Sequence, residues 1–268
     1  MADHAQAGTL AGLTDGLREK SPKHRILADA LLSQIEAGRW RPGEQIPSED
    51  QIATESGMSL GTVQRALRNL AEIGVVERYH GRGTFVRGGR APNRHLRHFR
   101  FLAEDGNTLL PIFVSVRDIS LIDEEGPWAA FLGNCDEGYV RIRREVSVAN
   151  EFSLYSEVFL PGDRFGSLTT MERSELDGIS IRDAIAERFN APTLSAEQTM
   201  MCQILPPRAT TALNLPLGTC GIVWIIGAMS YRDAPITWQR VFVPPSDRPL
   251  EITARQPWGL SAVPGNSD

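Results

Sequence analysis

Residues 58–88 read MSLGTVQRALRNLAEIGVVERYHGRGTFVRG. Ser59 is placed to cap a helix, because a serine hydroxyl accepts from the amides that a first helical turn leaves free. Val63, Ala66, Leu67, Leu70 and Ile73 then recur at the spacing of one helical face. Gly74 stops the run, and residues 75–79 and 84–87 read as two short strands around the turn His80, Gly81, Arg82 and Gly83. With the apolar stripe committed to a core, the opposite face carries Gly61, Arg65 and Arg68, flanked by Thr62 and Gln64. A small, polar, cationic helix face followed by a hairpin with a glycine-rich, cationic tip suits an anionic partner.

Upstream, Ser21 is placed to cap a first helix with Pro22 in its first turn, where a missing amide costs nothing. Ile26, Leu27, Ala30, Leu31 and Ile35 keep helical spacing, and Gly38 ends the run. Ser48 and Gln51 form a capping-box pattern that opens a short second helix with Ile52 and Ala53 inward, closed by Gly57. A short helix, a tight turn and a longer helix predict a helix-turn-helix, and the hairpin behind it is a wing.

The chain has 268 residues, enough for two domains. Its net charge of -5 hides a division. Residues 1–100 hold 15 Lys and Arg against 11 Asp and Glu, whereas residues 101–268 hold 13 against 22. Within 61–100 nine arginines face two acids, Glu72 and Glu77, which predicts a nucleic-acid surface over the alternative of a solvated charged face. The longest apolar runs, such as Ile222 to Ile226, are of strand length, and the first residues lack a cationic start followed by an apolar block. A cytoplasmic location is therefore expected. Cys135, Cys202 and Cys220, distant in sequence and odd in number, fit reduced and mostly buried thiols. His95 and His98 stand in a linker without a partnering Cys or acid, so no metal and no cofactor is expected.

Residues 21–88, with Gly38, Pro42-Gly43, Ile46-Pro47-Ser48-Glu49, Ser59, Thr62-Val63, Ala66-Leu67, Leu70, Gly74-Val75-Val76 and Gly81 to Val86, closely resemble the winged helix-turn-helix of the GntR family of bacterial transcription regulators. The resemblance implies a homodimer on a two-fold DNA operator, with the third helix in the major groove and the wing tip in the adjacent minor groove. It implies DNA contacts from Ser48, Glu49, Ser59, Gly61, Thr62, Gln64, Arg65, Arg68, His80, Gly81, Arg82, Gly83 and Thr84. Many members carry basic residues where this chain has Asp50, Leu60 and Gln64, which implies an operator unlike the family's commonest one. Arginine suits guanine, glutamine suits adenine, and leucine offers apolar contact only.

The expected domains are a tail over 1–17, the winged helix-turn-helix over 18–87, a linker over 88–98, an effector domain over 99–252 and a tail over 253–268. Beyond residue 99, strands are expected over 111–116, 139–148, 152–160, 196–205, 220–231 and 236–243, with helices over 126–132, 180–189 and 207–213. Short turns between neighbours predict a largely antiparallel sheet with helices on one side, an α+β domain. The segments YVRIRREVSVANEFSLYSEVFLP (139–161), IRDAIAERF (181–189) and LPPRATTALNLPLGTCGIVWIIGAMSYRDAPITWQRVFVP (205–244) resemble the UTRA domain of the HutC subfamily, which shares the chorismate lyase fold. That resemblance implies a pocket for a small-molecule effector, such as a sugar phosphate, an amino-acid catabolite or a related anion.

Strand alternation puts Tyr139, Arg141, Arg143 and Glu145 on one face, and Val140, Ile142, Arg144 and Val146 on the other. Arg144, on the apolar face, needs a partner, either a ligand anion or an internal acid such as Glu157. Tyr155 and Glu157 alternate with Leu154 and Ser156, and both inward readings stay open. Trp238 and Arg240 either frame a pocket or pack in a core. Arg143, Arg144, Tyr155, Glu157, Trp238 and Arg240 are thus the candidate effector-binding residues. The expected function is a ligand-responsive DNA-binding regulator, most simply a repressor of neighbouring catabolic or uptake genes. The alternative is a lyase-like enzyme on the same fold, although the sequence holds no histidine after His98 and no nucleophile or phosphate-loop motif.

Overall fold

A computed structural model of the chain describes residues 22–79, 81–87 and 99–252. It divides into two compact units, the first holding 22–87 of these residues and the second 99–252. Ser21, His80, the linker histidines His95 and His98, and the two tails lie outside the described residues.

In the first unit, α1 (Lys23–Glu36) starts after Pro22, which occupies the N-cap and not the first turn. The helix buries Leu27, Leu31 and Ile35. The capping box of Ser48 and Gln51 opens α2 (Glu49–Ser56). Gly57 takes a left-handed φ of 65°, which lets the chain reverse into α3 (Leu60–Glu72). Val63, Ala66, Leu67 and Leu70 are fully enclosed, as the periodicity requires. Ile73 departs from the expected stripe and is 59% exposed. It lies past the last helical turn with φ -81° and ψ 3°, and Gly74 then turns the chain so that Val75 and Val76 enter the core in its place. Strands β1 (Val76–Tyr79) and β2 (Gly83–Val86) pair antiparallel from Val76↔Val86 to Tyr79↔Gly83. The wing is tied to the α1–α2 loop, since the Ile46 amide donates to the Thr84 carbonyl at 3.0 Å and the Val86 amide to the Glu44 carbonyl at 2.8 Å.

The second unit is a six-stranded sheet in the order β3-β4-β5-β8-β7-β6, every neighbouring pair antiparallel. Its strands are β3 (Ile112–Ile122), β4 (Tyr139–Val148), β5 (Phe152–Pro161), β6 (Ser195–Ile204), β7 (Cys220–Met229) and β8 (Pro235–Val243). The helices are α4 (Pro127–Leu132), α5 (Gly162–Phe165), α6 (Ile181–Phe189) and α7 (Pro207–Ala212). Strand β3 runs well past the expected 111–116 because a bulge at Arg117 shifts the register between Val116 and Asp118. The apolar alternation that ends at Val116 therefore resumes out of phase at Ile119.

Helices cover both faces of this sheet, not one as the sequence suggested. On one face Val140, Ile142, Val158 and Leu160 pack with Phe165 of α5 and Ile181, Ala184 and Ile185 of α6. On the other, Tyr139, Phe159 and Trp238 pack with Trp128 and Leu132 of α4, and Tyr155, Val223 and Phe242 pack with Ala209 of α7. Strand β5 is buried at seven consecutive positions from Leu154 to Leu160, so both faces have to be covered. The outermost strand β6 is exposed along nearly its whole length.

Candidate nucleic-acid interface and ligand pocket

In the first unit the Ser59 hydroxyl accepts from the Thr62 amide at 3.3 Å and lies 2.9 Å from the Thr62 hydroxyl, which fixes the start of α3. Gly61, Arg65 and Arg68 are exposed on one face of that helix. Lys23 and His24 of α1 border the same surface, forming with Ser59, Gly61, Thr62 and Arg65 a hollow of about 380 Å³. Neither was foreseen, because residues outside a helix's buried stripe carry no periodic signal of what they neighbour.

Glu49, at the first position of α2, holds two neighbours. Its carboxylate accepts from Gln64 Nε2 at 2.9 Å and pairs with the Arg78 guanidinium. Ser48 is occupied as the helix cap. At the wing, Gly81, Arg82 and Gly83 are exposed, and the Arg82 guanidinium lies 5.9 Å over the Tyr79 ring. Gln45 Nε2 donates to the Arg82 carbonyl at 3.0 Å and steadies the tip. Thr84 differs from the other expected contacts, since it is buried and serves the wing's own framework through its carbonyl.

In the second unit the six expected effector residues do not form one site. Arg143, Tyr155, Glu157, Trp238 and Arg240 share one face of the sheet, and Arg144 lies on the other. Glu157, 4% exposed, is paired with Arg240 Nη2 at 2.8 Å and Arg208 Nε at 3.4 Å. It cannot also serve Arg144, because neighbouring positions on a strand point to opposite faces. Trp238 packs among Trp128 and Phe159, with ring centroids 6.3 and 5.7 Å away, and it also lines, with Arg208 and Arg240, a hollow of about 280 Å³. Arg143 is paired with Asp118 at 3.0 Å. Burial works against its charge, but the bonds and charge of Asp118 outweigh that and hold its pKa above the ordinary value.

Arg144 is 5% exposed. Burial pushes its pKa down to about 10. Its Nη2 donates to the Ser156 hydroxyl at 3.4 Å, and Gln239 Nε2 donates to the same oxygen at 3.0 Å. Its Nε has no hydrogen-bond partner, and no carboxylate pairs with it, among the described residues. The guanidinium lines a cavity of about 140 Å³. Gly178, Ile179, Ser180, Ile181 and Arg182 close it from the side where α6 begins, and Thr237 and Gln239 line it from β8. Ser180 is the N-cap of α6 without a side-chain cap bond. Burial likewise lowers the pKa of Arg182 to about 10, against the opposing charge of Asp183. Two arginines and a helix N-terminus form an electropositive hollow with apolar walls, among them Phe99, Ile112, Val114 and Ile226. Ser156, Ser180, Arg182 and Gln239 escaped the sequence reading because they come from three distant segments.

The cysteines depart from expectation. Cys202 and Cys220 are both exposed and meet across β6 and β7 with sulfurs 3.6 Å apart.

Residues 24–86 match the family described as bacterial regulatory proteins, gntR family. Over 199 residues the chain is 30% identical to the HTH-type transcriptional repressor NagR of Bacillus subtilis (strain 168), covering 71% of this chain and 75% of NagR. The chain belongs to the GntR family. The HTH-type transcriptional regulator SmoD of Agrobacterium fabrum (strain C58 / ATCC 33970) is 31% identical to this GntR-family chain over 155 residues, 58% of this chain and 64% of SmoD. The match thus spans just under two thirds of SmoD. The second unit has the fold of a ligand-binding domain assigned to a GntR-family transcriptional regulator from Bordetella bronchiseptica, at a TM-score of 0.51 and 17% identity, covering 59% of this chain and 98% of that one. No described helix is long and apolar enough to cross a membrane.

Proposed function

We propose that the chain is a ligand-responsive transcription regulator that represses neighbouring catabolic or uptake genes from the cytoplasm. As a homodimer it grips a two-fold operator with α3 and the wing, and a small anion bound at Arg144 changes its grip. The observation that carries the ligand half is the Arg144 guanidinium, which lines a cavity and has no carboxylate paired with it among the described residues. A buried charge left unpaired is costly, so a ligand anion that supplies the missing partner gains more than it would at the surface. The DNA half rests on the exposed arginines of α3 and the wing in a unit whose family is a family of DNA-binding regulators. Family membership supports this reading over a lyase-like enzyme.

Coupling between the two events requires the anion to favour one arrangement of the dimer, typically by about 1–3 kcal/mol. Mobility shift of the DNA flanking the protein's own gene tests the reading, with the Arg65→Ala and Arg82→Ala variants alongside. Both variants are expected to lose affinity, and the effect is expected to weaken as salt rises. Unchanged affinity in both would remove the helix and wing from the account.

A further inference from the structure

We propose that Glu49 is a positioning residue for base recognition: by accepting from Gln64 Nε2, it fixes which hydrogen-bonding groups Gln64 presents to the major groove. This rests on the DNA-binding reading above. A carboxylate only accepts, so the nitrogen of the Gln64 amide must face Glu49, at 2.9 Å. One N–H is thereby used. The groups left to face outward are the carbonyl Oε1 and a single remaining N–H.

That pair matches one base edge. Adenine offers an N6 donor to Oε1 and an N7 acceptor to the remaining N–H, whereas guanine offers two acceptors, O6 and N7, and meets Oε1 with repulsion. An unrestrained glutamine can turn both N–H groups toward guanine. Gln64 cannot while Glu49 holds one of them. Gln64 stands in the first two turns of α3, on the flank of the Gly61–Arg65–Arg68 face, where a recognition helix meets base edges. Arg78 completes the device. Its ion pair with Glu49 offsets a carboxylate that would otherwise oppose the DNA phosphates, and it keeps the Arg78 charge from acting on phosphates itself.

The test is selection from a randomised duplex library, followed by anisotropy titrations across salt, with wild type, Glu49→Gln and Gln64→Ala full-length proteins. Wild type is expected to favour A·T over G·C at one base pair of each half-site by roughly tenfold or more. Gln64→Ala should lose that preference. Glu49→Gln keeps the shape but permits the flipped amide and releases Arg78. It should bring the preference at the same base pair to within about threefold, raise affinity for unrelated DNA and steepen the salt dependence by roughly one unit. A merely structural role predicts the opposite, a uniform loss of binding with the preference intact. Intact preference in Glu49→Gln, or a change at a base pair other than the one Gln64→Ala affects, overturns the inference alone. Failure of wild type to bind any duplex overturns the DNA-binding reading and the inference with it.

Discussion

Arg143 and Arg144 are consecutive in the chain and face opposite sides of one sheet, the first paired with Asp118 at 3.0 Å and the second enclosed with Ser156 at 3.4 Å. Their substitutions should therefore separate. Arg144→Met removes a buried charge and fills its space, so the unliganded protein should gain roughly 1 kcal/mol or stay level, while the rise in melting temperature on adding phosphate or small carboxylates disappears. Arg143→Met breaks a partly exposed pair, costs under about 1 kcal/mol, and leaves that response in place. Thermal unfolding with and without the anions reads both.

At the wing, Gly83 has φ 109°, and a side chain there would run into the Gln45 amide that donates to the Arg82 carbonyl. Gly83→Ala should lower stability by about 1 kcal/mol or somewhat more. Its loss of operator affinity should exceed what that destabilisation accounts for, because the tip loses its support. Binding measured well below the melting temperature separates the two effects.

Trp238→Ala should act on stability and not on ligand affinity. The ring closes a cluster with Trp128, Tyr139 and Phe159, and large-to-small changes of this kind cost about 3–5 kcal/mol. Urea unfolding should show that loss, and the folded fraction should still respond to anions at Arg144.

Cys202 and Cys220, with sulfurs 3.6 Å apart, stand at diagonal positions of the β6–β7 ladder, so mild peroxide should join them with a small shift of the exposed strand edge and without unfolding. The bond and charge of Cys220 raise the pKa of Cys202 above its ordinary value, which leaves less thiolate at neutral pH. The reaction should accordingly be slow near pH 7 and accelerate with rising pH. Peptide mapping without reductant reads the link, and Cys202→Ser should abolish it.

The first unit was legible in the sequence because its signals are local. Ser48, Gln51 and Gly57 each act within a few residues of their own position, and the caps and periods they predict are present. Ile73 misled because a helical period says nothing of where the helix stops. In the second unit the strand segments were legible and their surroundings were not. Alternation along β4 separates Arg143 from Arg144, but which side meets α6 depends on pairing between segments far apart, such as Ser156 with Val241. Gln239 reaches the Arg144 cavity through that pairing, and Ser180 through the packing of α6 on the same face. The Cys202–Cys220 contact is hidden for the same reason, since it depends on the β6–β7 register.

The strand order also has a kinetic meaning. Strands β3, β4 and β5 form one meander and β6, β7 and β8 another, each joined by connections within its own stretch of chain. Among the described strands, the pairing of β5 with β8 is the one ladder that joins them, and there Glu157 stands opposite Arg240, its ion-pair partner. Contacts between distant segments form late because loop closure costs entropy before they reward it. The two meanders should thus form first and zip together last, with the Glu157–Arg240 pair as the clasp. Until it closes, each half exposes the strand edge that the other is built to cover.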